Sequence, residues 1–285
     1  MLSGMTVTRM FGATGVAVPV FGQGTWQMES DDREGAIAAL RAGMDLGLTH
    51  IDTAELYGSG RVEELVAEAI SGRRDELFLV SKVMPSHASR AGTIKACEQS
   101  LRRLRTDHLD CYLLHWPGSH PLEETIAAFE QLVAAGKIRA WGVSNFDASE
   151  LQEALDIAGP GKIACNQVLY HLAQRDIEHE VVPWCAANDV AVVGYTPFGQ
   201  VKFPPSGAGG KRLEQIAKKH GATARQVALA FLTRLPGTFA IPKSSQAAHV
   251  RDNAAVQKLE LDKSDIAELD AAFPRPARRA GVPML

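Results

Sequence analysis

The chain has 285 residues, 46% of them hydrophobic and 22% charged, with a formal net charge of −3. That length allows one large α/β domain or two smaller ones with an ample core, and the charge gives no basis for nucleic acid or an acidic membrane as partner. No apolar run reaches the length of a membrane span, MLSGMTVTRM lacks the charged start and apolar block of a signal peptide, and the four scattered cysteines (Cys97, Cys111, Cys165, Cys185) point to reduced thiols in the cytoplasm, with no disulfide framework and no metal site.

The opening 5–20, MTVTRMFGATGVAVPV, places turn glycines between apolar runs and reads as a β-hairpin closing the bottom of a barrel. Then strand and helix alternate. VPVFGQGTW is followed by the helical DDREGAIAALRAGMDLG, with Asp31 or Ser30 as its cap, and LTHIDTA by RVEELVAEAISG. LFLVSKV precedes TIKACEQSLRRLR, and HLDCYLLHW precedes PLEETIAAFEQLVAAG, where Pro121 suits a first turn and Gly136 a C-cap. IRAWGVSNF leads to DASELQEALDIA, and KIACNQVLY to IEHEVVPWCAAN. VAVVGYTPF leads to a helical region covering KRLEQIAKKH and ATARQVALAFLTRL, and TFAIPKS to AAHVRDNAAVQ. SDIAELDAAF is an added helix, and PRPARRAGVPML a Pro/Arg-rich extension.

Alternation of this kind implies parallel strands, and eight such units in about 250 residues match a closed (β/α)₈ TIM barrel, an α/β fold. No linker divides the chain, so residues 1–285 are expected to form one barrel domain. The rival open sheet would carry a dinucleotide fingerprint, but GQG at 22–24 lacks its third glycine. GAGGKR at 207–212 fails as a phosphate loop and reads as a flexible surface loop before a helix.

Ionisable residues gather at or just after strand ends. HIDTAELYGSG carries Asp52 and Tyr57, FLVSKV carries Lys82, and LDCYLLHW carries His115. In a barrel that rim is where catalytic groups collect. An ammonium beside a phenol favours the phenolate and lowers the phenol's pKa. Taken singly, Asp52 reads equally as a turn or cap, Tyr57 as a loop aromatic and His115 as a core histidine. Lys82, inside an apolar strand, must find a partner. Trp26 and Trp116 end the first and fourth strands and should flank Tyr57 and His115 as substrate-pocket walls. The short loop after Trp116 and the short tail predict a shallow, open pocket.

The motifs GTW, HIDTAELYG, SK, LLHW, KIRAWGVSNF, NQVLYH, GYTPFG and IPKSS resemble, in order and over nearly the whole chain, those of the aldo-keto reductases. QGTW, SKV and YLLHW are most similar to the bacterial branch that includes methylglyoxal-reductase-like enzymes. The resemblance implies a barrel enzyme that reduces small or aromatic aldehydes and ketones, methylglyoxal among the candidates, with NADPH. It implies a catalytic tetrad: Tyr57 gives the proton, Lys82 lowers its pKa, Asp52 holds Lys82 as a cation, and His115 orients the carbonyl oxygen. It carries Ser144, Asn145 and Gln167 to the nicotinamide carboxamide, Tyr195, with Thr196 beside it, to the nicotinamide ring, Lys243 and Ser244 to the adenosine phosphate, and Asn253 to adenine. Where the family commonly supplies an arginine to the 2′-phosphate, this chain has His249, charged only when protonated. Arg251 is turned to another helix face, so NADH stands as the alternative cofactor. The implied partner is a small carbonyl compound, and the chain is expected to be a monomer or weak oligomer. The alternatives are a non-catalytic cofactor-binding regulatory subunit and a Schiff-base lyase acting through Lys82.

Overall fold

A computed structural model describes residues 6–200, 202–276 and 281–285. It opens on an antiparallel hairpin, β1 (Thr8–Met10) and β2 (Ala17–Pro19). Among the described residues eight parallel strands follow in spatial as well as chain order: β3 (Gln23–Gly24), β4 (His50–Asp52), β5 (Phe78–Val83), β6 (Leu109–Leu114), β7 (Ile138–Ser144), β8 (Ile163–Leu169), β9 (Ala191–Tyr195) and β10 (Thr238–Ala240). The ends of this sheet meet. The Gly22 amide donates to the Ala240 carbonyl at 2.8 Å, and parallel bridges join Phe21 to Ala240 and Gly24 to Lys243. The expected (β/α)₈ barrel is therefore closed.

Helices α1 (Arg33–Asp45), α2 (Arg61–Ala69), α3 (Arg90–Leu104), α4 (Leu122–Ala134), α5 (Ala148–Ala158) and α6 (Val181–Ala187) separate the strands from β3 to β9. The pair α7 (Ala208–Lys219) and α8 (Ala224–Leu232) precedes β10, and α9 (Ala247–Ala255) follows it. The added helix is α10 (Lys263–Ala272). Helix starts are fixed by side chains. Asp147 with Glu150, Thr223 with Gln226, and Asp262 with Asp265 form reciprocal capping boxes on α5, α8 and α10. Strands β5, β6 and β8 are buried along their whole length, as strands covered on both faces must be, so they show no alternation of buried with exposed positions. Among the described residues no helix is long and apolar enough to cross a membrane.

The hairpin plugs one end of the barrel. Phe11 and Val18 are buried against Phe78, Val80, Cys111, Leu113, Val193 and Phe239. Phe78 begins β5 and His50 begins β4, so the plug covers the N-terminal ends of the strands and leaves the C-terminal ends for a site.

Several expectations need correction. The cap of α1 is Asp32, whose side chain accepts from the Gly35 amide, and not Asp31 or Ser30. GAGGKR is not a loop before a helix, because α7 begins at Ala208 inside it. Its two helical glycines allow close approach: a Cβ at Gly209 would lie 3.0 Å from the Phe273 ring and one at Gly210 1.7 Å from the Pro205 carbonyl oxygen. The last strand is shorter than TFAIPKS and ends at Ala240, with Pro242 beyond it still accepting from the Gly24 amide at 3.2 Å. Residues 277–280 of the extension, and 1–5 at the other end, lie outside the described residues.

Candidate active site

Asp52 closes β4 and Lys82 is the fifth residue of β5, its neighbour in the sheet. Both are buried, Lys82 completely. A charge in that position must be paired. The Lys82 ammonium donates to both Asp52 carboxylate oxygens at 2.9 and 2.7 Å, to the Thr53 carbonyl at 2.9 Å, and to the Tyr57 hydroxyl oxygen at 3.2 Å. Asp52 also accepts from Gln167 Nε2 at 2.8 Å. Because Lys82 donates to the Tyr57 oxygen, the phenolic proton is left free to be given elsewhere.

Tyr57 reaches this position through a tight loop. It begins a 3₁₀ turn in which Gly58 (φ 56°) and Gly60 (φ 91°) are left-handed, the conformation glycine adopts without strain. The loop is tied down by Glu55, buried, whose carboxylate accepts from the Met84 amide at 2.7 Å and contacts His87 Nδ1 at 3.0 Å. Glu63, fully buried at the start of α2, accepts from Ser81 Oγ and Arg103 Nε, each at 2.6 Å. Sequence reasoning missed both carboxylates, although each lies in or just after the HIDTAELYG motif.

The electrostatics differ from expectation in one sign. Burial pushes the Tyr57 phenol up, the Lys82 charge pulls it down and Asp52 pushes it up again; the net direction is upward. Lys82 does oppose the shift but does not reverse it. Burial works against the Lys82 ammonium, yet Asp52 and Tyr57 outweigh it and its pKa is raised, so it stays a cation. Burial, with the Lys82 charge second, pushes His115 down to about 2, so its imidazole is neutral. The His115 and Tyr57 rings meet edge to face at 5.8 Å, and His115 packs on Trp116 at 4.8 Å.

These groups face one cavity of about 500 Å³ at the C-terminal end of the barrel. Asp52, Tyr57, His115, Trp26 and Trp116 line it, with Lys82 directly behind Asp52 and Tyr57. Ser144, Asn145, Gln167, Tyr195, Thr196 and Lys243 form other parts of the wall. Asn145, left-handed at φ 64°, donates to the His115 carbonyl at 3.0 Å and accepts from the Tyr195 hydroxyl at 2.9 Å. Ser144 Oγ donates to the Gln167 carbonyl at 2.8 Å. Besides Lys82, three expected site residues do not line this cavity. Ser244 bonds locally to Gln246, His249 is exposed on α9, and Asn253 is buried on α9 with its side-chain oxygen unpartnered among the described residues.

The short tail is itself part of the pocket wall. Met284 and Leu285 return to line the cavity beside Phe198 and Gln200, and the Leu285 backbone hydrogen-bonds at Tyr195. The apolar GVPML end was the available signal. Asp31, which sequence reading treated as a cap, instead pairs with Lys243.

Residues 20–273 match the model of the aldo/keto reductase family. The chain is 48% identical over 273 residues to methylglyoxal reductase YeaE of Escherichia coli K12, covering 95% of this chain and 96% of that protein. It is 34% identical over 257 residues to glyoxal reductase of Bacillus subtilis, covering 90% of each. Among solved structures, an aldo/keto reductase from Klebsiella pneumoniae in complex with NADP and acetate matches with a TM-score of 0.92 and 47% identity, over 99% of this chain and 100% of that one.

Proposed function

The chain belongs to the aldo/keto reductase family, and from that premise we propose that it reduces small aldehydes and ketones, methylglyoxal among them, with NADPH as cofactor and Tyr57 as proton donor. The observation that carries this reading is the buried Lys82 ammonium held between both oxygens of Asp52 and the Tyr57 hydroxyl. A fixed cation that donates to the phenol oxygen leaves the O–H proton available and stabilises the phenolate as it forms. The neutral imidazole of His115 offers a ring N–H to the substrate oxygen without adding charge. Trp26, Trp116 and Leu56 give the cavity apolar walls suited to uncharged aldehydes.

The chain's own groups suit a nicotinamide dinucleotide. Ser144, Asn145 and Gln167 offer hydroxyl and amide donors and acceptors to a carboxamide. Tyr195 lines the cavity beside them and would offer its ring to the nicotinamide. The buried Asn253 oxygen has no partner within the described residues and would accept from the amine of an adenine. Lys243 and Ser244 would meet phosphate. When bound, NADPH supplies the hydride. The relatives named for methylglyoxal and glyoxal reduction support the substrate class.

A Schiff-base lyase needs a free amine, whereas Lys82 is a paired cation whose pKa is raised. A cofactor-binding regulatory subunit would have no use for a proton donor so arranged. The test is NADPH consumption with a panel of aldehydes that includes methylglyoxal and nitrobenzaldehydes. Turnover is expected. Silence across the panel, with cofactor binding intact, would end the enzymatic reading.

A further inference from the structure

Lys243 is the only cation among the described residues that line the cavity, since His115 is neutral and Lys82 lies behind the wall. Its ammonium is already engaged by the Asp31 carboxylate, 212 positions away in the chain. Both ends of this pair are fixed by backbone. Lys243 bridges to Gly24 in the barrel wall. Asp31 follows the 3₁₀ turn Met28–Ser30, its amide donating to the Met28 carbonyl at 3.2 Å, and precedes Asp32, the cap of α1. The backbone therefore holds the two segments so that the Lys243 and Asp31 side chains meet. The surrounding loop is acidic: Glu29, Asp31, Asp32 and Glu34 lie within six positions. The one base among them, Arg33, is paired with Glu68 at 3.0 Å.

We infer that Asp31 is a specificity-determining residue that competes with the 2′-phosphate of NADPH for Lys243 and so narrows the preference for NADPH over NADH. The inference rests on the reading that Lys243 meets that phosphate. Both partners are partly exposed, 32% for Lys243 and 28% for Asp31, so the pair is weak enough for a phosphate to displace or share. A dianion approaching Lys243 meets the Asp31 charge at the same point, and that repulsion is absent for NADH, which carries a hydroxyl there.

The experiment measures cofactor dissociation constants by fluorescence titration for wild type, Asp31→Asn, Asp31→Ser, Lys243→Met and the double variant Asp31→Asn with Lys243→Met. Asp31→Asn should tighten NADPH about threefold at low salt and leave NADH unchanged, with Asp31→Ser behaving alike. The gain should shrink as salt rises and vanish when Lys243 is absent. Equal shifts for both cofactors, or unchanged or weaker NADPH binding in both Asp31 variants, would overturn the inference. If Lys243→Met weakens NADPH while the Asp31 variants do nothing, only the inference fails. If Lys243→Met leaves NADPH binding untouched, the phosphate reading beneath it fails as well.

Discussion

At the scale of single residues, the site turns on which protons are held near neutral pH. Tyr57 is pushed up from the ordinary phenol value of 10.0, so it keeps its proton through the physiological range. His115 is pushed down to about 2 and does not gain one. If Tyr57 is the proton donor, as proposed, a donor that stays loaded and a histidine that stays neutral give a simple profile. The saturated rate of aldehyde reduction should be flat from about pH 5 to about pH 8 and fall only as the phenol ionises, above about pH 10. Steady-state rates across that range check it. A loss of rate centred near pH 6.5 would mean that His115 titrates and that its burial does not control it. Lys82, Asp52 and Tyr57 were legible from the sequence because an amine in a buried strand and an acid at the end of its neighbour have few ways to be satisfied except together. The upward shift of Tyr57 was not legible. It depends on how completely the folded chain excludes water, which spacing along the chain does not encode.

At the scale of elements, the hairpin plug and the first residue of β4 form a unit. His50 is fully buried between the ring edges of Phe11 and Phe78, at centroid separations of 5.7 and 5.6 Å, and neither ring nitrogen has a partner among the described residues. Burial, then the Lys82 charge, pushes its pKa down to about 3. The unfolded chain therefore binds a proton at His50 below about pH 6.5 that the folded chain refuses. Stability from this residue is complete above that value, is lost as the pH falls through it, and stops changing below about 3. Between pH 7 and pH 5 the wild type should lose about 2 kcal/mol more than His50→Leu, measured by urea unfolding at both values. Equal losses would show that His50 is protonated in the fold. Elements were legible where burial is two-sided, as in β5 and β8. They were misread where packing overrules propensity, as in α7, whose glycines read as loop but sit against Pro205 and Phe273.

At the scale of the whole molecule, the alternation of eight strands with helices was enough to give the barrel, and the turn glycines between apolar runs in 5–20 gave its plugged end. The tail was not legible as part of the site. Its last residues are short, apolar and exposed, and only the closed fold shows that they reach Tyr195 and the cavity. The same holds for Asp31 and Lys243, which no local pattern connects. The central claim is that this barrel reduces a carbonyl with Tyr57 as proton donor. The most direct measurement is the turnover of methylglyoxal with NADPH by Tyr57→Phe, alongside cofactor affinity for the same protein. The substitution keeps the ring and removes one hydroxyl, so affinity should hold while turnover falls at least about 10²-fold. Near-normal turnover by Tyr57→Phe would contradict the account and move the proton donor to another group.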